Sequence, residues 1–282
     1  MSRIHIAIVA LVALLVVGGS AWFFYALYVQ PRVALRAEQK QLAKVAESEA
    51  AAVSPDEAAY TALVQQLQDA SPATLQARWA EFLGAYPDSP RAAEARAVLG
   101  PSNMAALFDP ASRENREVHT VAKGDSLYKI ARKQGVTIDL IARANNLEGT
   151  MLQIGQQLVV PKVEITAAID RSAKTLRLDN GGRFLREYPL LSVNVPPAGA
   201  GHEIQAKVSD AVVEGDGKRV TYGQKGYKEG RRVLILSSPG FTISSAADDT
   251  PENQLPPGIV VKDRDMADIF VLLTRGVPVT IR

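Results

Sequence analysis

The sequence contains no cysteine, which excludes disulfides, thiolate metal sites and thiol nucleophiles together. Histidine is nearly as scarce. His5, His119 and His202 are the only three, too far apart along the chain to suggest a ligand cluster, so neither a metal site nor a cofactor is expected. A dominant charge is also lacking, because 32 basic and 30 acidic residues leave a formal net charge of +2. Without a positive field to gather it, nucleic acid is not an expected partner. What the chain has is length and apolar content. Its 282 residues, 47% of them hydrophobic, leave room for about two domains with additional segments.

Between Ile4 and Val29 no Asp, Glu, Lys or Arg occurs. That run is long enough to cross a bilayer as a helix, and Trp22, Phe23, Phe24 and Tyr25 near its end suit an interfacial belt. A cleaved signal peptide is the rival, with small residues from Gly18 to Ala21, but apolar residues continue past that point. Residues 1–30 are therefore expected to be an uncleaved single-pass anchor. Arg32, Arg36, Lys40 and Lys44 follow it against Arg3 before it, so the positive-inside rule alone does not favour an exported C-terminus. Residues 31–53, rich in Ala, Glu, Gln, Lys and Arg, have the composition of a helical stalk.

Ser54-Pro55-Asp56-Glu57 reads as a helix start, with Ser54 as N-cap and Pro55 in the first turn. Residues 54–102 are expected to form a short helical domain with helices over 55–67, 72–85 and 90–99. In the second helix Leu75, Trp79, Phe82 and Leu83 share one face by spacing. Tyr86-Pro87-Asp88-Ser89-Pro90 breaks the chain, and Gly100-Pro101 should end the third helix. The string from Phe82 through Tyr86, Pro87, Ser89, Pro90 and Ala92 to Ala95 resembles a tetratricopeptide-like hairpin, although an array needs about three repeats. A spacer with its own small core is the expected role. Residues 103–117 are expected to be a linker.

From Val118 to Pro161, strand-period apolar residues flank two helix-period segments with turn chemistry at each junction, a βααβ pattern. Val118-His119-Thr120-Val121 is the first strand. Gly124 permits a tight turn, and Asp125 or Ser126 can accept hydrogen bonds from the first free amides of a helix carrying Leu127, Ile130 and Ala131. Thr137 caps a second helix with Leu140 and Ile141, Asn145-Asn146-Leu147 closes it, and Leu152 to Pro161 return. Residues 118–161 resemble a LysM domain over its whole length. That resemblance implies a shallow groove for N-acetylglucosamine-containing glycan, with Gly124, Asp125, Ser126 and Leu127 on one side and Asn146, Leu147, Gln153 and Ile154 on the other. Leu127 and Ile154 are equally plausible as core residues, and Asp125 as a cap. His119 is read as a strand-surface residue.

Residues 164–282 change to short alternating strands, with Asn180-Gly181-Gly182 as a hairpin signal. The opening, Ala168-Ile169-Asp170 with Thr175 to Leu178, and the ending, Gly258 to Leu272 with Arg275 to Ile281, are similar to the L,D-transpeptidase catalytic domain (YkuD-like). That family's motif reads Ser-His-Gly-Cys-Ile-Arg, with a histidine-activated thiolate as nucleophile. Here Pro256, Pro257, Gly258, Ile259, Val260 and Val261 stand at those positions, with Ile259 replacing the nucleophile and Val261 the arginine. Ile235-Leu236-Ser237 stands where an upstream Ile-His-Gly is normal. Aliphatic side chains neither attack nor shuttle protons. No catalytic residue is expected, and the domain reads as a pseudoenzyme. A pairing of His202 with Ser237, Ser238, Ser244 or Ser245 has no motif spacing behind it.

The expectation is a multidomain α+β chain: a transmembrane helix, a short helical domain, a βααβ LysM domain and a β-rich C-terminal domain. It would sit in the bacterial inner membrane with its C-terminal domains in the periplasm, binding peptidoglycan glycan strands without catalysis, with envelope proteins as further possible partners. An enzyme with relocated residues and a scaffold acting through protein partners are the alternatives.

Overall fold

The computed structural model describes residues 19, 40, 54–66, 72–112, 115–195, 203–215 and 217–282. The expected membrane span and stalk lie outside the described residues, as does His202. Among the described residues no helix is long and apolar enough to cross a membrane. The chain divides into two compact units, Met1–Gln66 and Leu67–Arg282. In the first, helix α1 spans Pro55–Gln66, with Asp56 and Glu57 in its first turn, where acidic groups complement the helix dipole.

In the second unit, α2 (Pro72–Ala85) and α3 (Ala92–Phe108) pack together. Trp79, Phe82 and Leu83 are buried on α2, and Ala92, Ala95 and Leu99 on α3. The sequence predicts the end of α3 at Gly100-Pro101, yet the helix runs through both to Phe108. A proline inside a helix removes one hydrogen bond and crowds a carbonyl, at a cost of about 3 kcal/mol. Packing offsets that cost. Met104 enters the core of the C-terminal sheet, and the Asn103 side-chain amide donates to the carbonyls of Phe184 (3.0 Å) and Leu185 (3.3 Å). Gly100 permits the close approach, since a Cβ there would lie 3.1 Å from Arg186 Cγ. Arg96 adds an ion pair to Glu187 at 3.2 Å. The helical pair is thus docked on the strand that carries Phe184 to Glu187.

The βααβ segment comprises β1 (Arg116–Thr120), α4 (Leu127–Gln134), α5 (Ile138–Ala144) and β2 (Gln157–Pro161). β1 and β2 pair antiparallel, with Val118 opposite Val159. Val121, Leu127, Ile130, Ile141, Leu158 and Val160 fill the core between strands and helices. Ser126 Oγ accepts from the Lys129 amide and Thr137 Oγ1 from the Leu140 amide, so both helices carry the side-chain N-caps the sequence suggested. Asn145 ties α5 to β2 in both directions. Its amide donates to Val159 O and its Oδ1 accepts from Val159 N, both at 2.7 Å.

The C-terminal part is a sheet of β3 (Ile165–Asp170), β4 (Thr175–Asn180), β5 (Arg183–Asn194), β6 (Ile204–Gly215), β7 (Lys218–Val220), β8 (Arg231–Leu236), β9 (Thr242–Ala246), β10 (Gly258–Lys262) and β11 (Pro278–Ile281). Strand order is β11-β3-β4-β5-β10-β9-β8-β6-β7, and β11 also pairs with β6. The sheet therefore closes on itself as a barrel, leaving β7 on its rim. Gly181 and Gly182 both have positive φ, which a tight β4–β5 hairpin requires. Helix α6 (Asp263–Leu272) contributes Met266, Ile269 and Phe270 to the barrel core.

The βααβ segment is not a bead on a linker. Leu140, 1% exposed, belongs to the barrel's core cluster. Thr137 Oγ1 donates to Val271 O at 2.7 Å, and Tyr227 Oη donates to the Asp139 carboxylate at 2.6 Å. Arg143 pairs with Asp268 and lies 3.7 Å from the Phe108 ring centroid. Helices α2 and α3, the βααβ segment and the barrel thus form one packed unit.

Candidate functional site

The two loops expected to form the glycan groove meet at one end of the β1–β2 pair. Val121 N donates to Gln156 O at 2.9 Å, and Gly155 N donates to Val121 O at 2.8 Å. This brings Gly124, Asp125 and Ser126 to the same end as Gln153 and Ile154. Gly124 (φ +88°) and Gly155 (φ +86°) adopt backbone conformations that glycine tolerates without penalty. Ile154, 72% exposed, and Gln153 face solvent, whereas Leu127, 2% exposed, is in the core. Leu127 can therefore meet a ligand only through its backbone. Asn146 is exposed at φ +53°, and Leu147 is half-buried against the core.

Sequence reasoning missed Met151, 90% exposed, and Tyr128, 62% exposed. Both are large apolar or amphipathic side chains beside the loops, and their position next to Ile154 and Leu127 was the available signal. The second loop is also braced from the barrel side. Tyr222 packs on the βααβ core and its hydroxyl donates to Leu147 O at 3.4 Å. Gly223 (φ +85°) lies so close to Thr150 that a Cβ would come within 2.6 Å of its methyl.

Asp125 holds the first loop closed. Its carboxylate accepts from Ala122 N at 2.9 Å and faces His119 Nε2 at 2.8 Å. The Ala122 amide above all, then His119, holds this carboxyl below its ordinary range. His119 is accordingly a loop anchor as well as a strand residue. A carboxylate depressed in the folded state adds stability that is present above its unfolded pKa, near ~4, and lost as pH falls through the lower folded value. As pH falls through that lowered value the loop is expected to open, read as lost protection of the Ala122 amide relative to its intrinsic exchange rate. Asp125→Asn should show no such pH step.

With the loops placed, the comparisons with known proteins decide the segment. Residues 119–161 match the family model of the LysM domain. The pair of loops described above is thus the end of a LysM domain that the resemblance associates with glycan. No curated protein matches the chain. Among solved structures, an L,D-transpeptidase from Mycobacterium smegmatis is similar at 14% identity and TM-score 0.30, covering 45% of this chain and 63% of that one. Mycobacterium tuberculosis L,D-transpeptidase 1 gives 18% identity and TM-score 0.29, covering 45% and 67%. A mutant of the Enterococcus faecium L,D-transpeptidase gives 15% and 0.30, covering 47% and 56%. The chain thus spans about two thirds or less of these proteins.

The chemistry of the barrel rests on its own residues. Ile259 and Val261 are fully buried in its core, Ile259 opposite Ile243 of β9. Ser237 Oγ accepts from Lys207 N at 3.0 Å, and Ile235 and Leu236 lie on β8 beside it. Ser244 is 3% exposed, so its hydroxyl is closed to a substrate. Among the described residues His119 is the only histidine, and it belongs to the LysM domain. No group of His, Asp and Glu among the described residues is placed to hold a metal ion.

Proposed function

We propose that this chain is a membrane-anchored peptidoglycan-binding protein of the bacterial cell envelope that grips N-acetylglucosamine-containing glycan through its LysM domain. The observation that carries the reading is the joined pair of loops at Val121, Gly155 and Gln156, with Gln153 and Ile154 open to solvent beside it. The apolar run from Ile4 to Val29 supports an inner-membrane anchor with the remaining chain in the periplasm. The barrel serves as a scaffold without catalysis. In support, the motif positions for nucleophile and arginine carry Ile259 and Val261, both buried, and the chain holds no cysteine.

The test is co-sedimentation of the full chain, in mild detergent, with purified sacculi. Wild type should pellet, and Ile154→Asp should weaken binding at least about tenfold, because a carboxylate replaces an apolar contact. Wild-type protein left in the supernatant would sink the glycan reading. Incubation with muropeptides should yield neither new crosslinks nor cleaved products, and either one would overturn the pseudoenzyme reading.

A further inference from the structure

Between α4, the start of α5 and the rim of the barrel lies a cleft of about 340 Å³. Pockets from about 300 Å³ upward are of ligand size, and this one suffices for one sugar residue. Its walls are mainly apolar, with Tyr128 on the LysM side and Tyr222 and Tyr227 on the barrel side. The Tyr222 and Tyr227 rings meet edge to face at 5.4 Å. Asp139 lines the cleft and is committed to the Tyr227 hydroxyl at 2.6 Å. Arg219 lines it too, with its guanidinium engaged by Asp210. Arg132 is different. It is exposed and has neither hydrogen bond nor ion pair among the described residues.

Two of its lining residues link the cleft to the two sides of the glycan groove. Tyr128 directly follows Leu127, and Tyr222 bonds to the Leu147 carbonyl. A ligand lying across the groove would bring a side arm toward Arg132 and Tyr128. Tyrosine offers an apolar face and a polar tip, and arginine matches a carboxylate with two parallel hydrogen bonds. We propose that this cleft is a second subsite for the same polymer, taking the carboxylate-ended side arm of an acidic amino sugar while neutral sugars occupy the groove. The acid is read at the mouth by Arg132; Asp139 at the Tyr227 end keeps it from entering further. The proposal rests on the glycan reading, which assigns the groove only.

Calorimetric titration of the full chain in detergent with two probes separates the two readings. One probe is N,N′-diacetylchitobiose, which is neutral; the other is N-acetylglucosaminyl-N-acetylmuramyl dipeptide, which is acidic. The acidic probe should bind about tenfold tighter. Arg132→Ala should bring the two to parity without altering chitobiose affinity, Arg132→Lys should retain part of the preference, and Ile154→Asp should weaken both probes. Equal affinities in wild type, or a preference that survives Arg132→Ala, would overturn the subsite while leaving the groove intact. If only the acidic probe binds, and Arg132→Ala abolishes it, the subsite stands and the groove reading fails. If neither binds, both fail.

Discussion

Replacing Leu140 by alanine is expected to lower the stability of the whole Leu67–Arg282 unit by about 3 kcal/mol, with LysM domain and barrel melting in one transition. Leu140 lies on a LysM helix, yet it is 1% exposed within the barrel's core cluster. Truncating a buried leucine loses its transfer free energy and leaves a cavity, and here the cavity opens in a core shared by both parts. The neighbouring ties from Thr137 to Val271 and from Arg143 to Asp268 hold the same interface, so relaxation around the hole is restricted. Calorimetry on the full chain reads the result. A variant whose LysM domain melts early while the barrel's transition stays put would show that the two are only loosely joined.

That shared core marks the boundary of what the sequence made legible. Helices 55–66 and 72–85, the βααβ segment and most barrel strands follow from local signals: caps at Ser126 and Thr137, period-two runs, and the Asn180-Gly181-Gly182 turn. The extension of α3 through Pro101 did not. Its cause is the docking of Asn103 on carbonyls more than eighty residues away and the entry of Met104 into the barrel core, which local propensity cannot weigh. Leu140 was readable as a buried helical residue, but not the core it would enter. At the site, turn chemistry pointed to Gly124 and Ser126, whereas the bracing of the second loop by Tyr222 and Gly223 comes from a distant turn with no motif of its own. Tyr128 was passed over although it directly follows Leu127, because an exposed aromatic on a helix reads as plain surface until the barrel wall across from it is known.

The other large effect belongs to Gly258. Changing it to alanine is expected to destabilise the barrel by about 3 kcal/mol or more, through strain and collision together. Its φ is +99°, and a Cβ would lie 2.5 Å from Thr242 Oγ1 and 2.8 Å from Thr242 O, where β9 and β10 come together. Gly276 supplies the control, with φ +95° and nothing within 4 Å of a Cβ. Gly276→Ala should cost only the left-handed strain, about 1–2 kcal/mol. Denaturant unfolding of both variants gives the difference, and equal losses would mean that the contact with Thr242 is not tight. The same contact bears on catalysis. Gly258 fixes the start of β10, and with that start fixed the next residue, Ile259, stands beside Ile243 in the closed core. At 0% exposure, the Ile259 side chain is sealed from solvent.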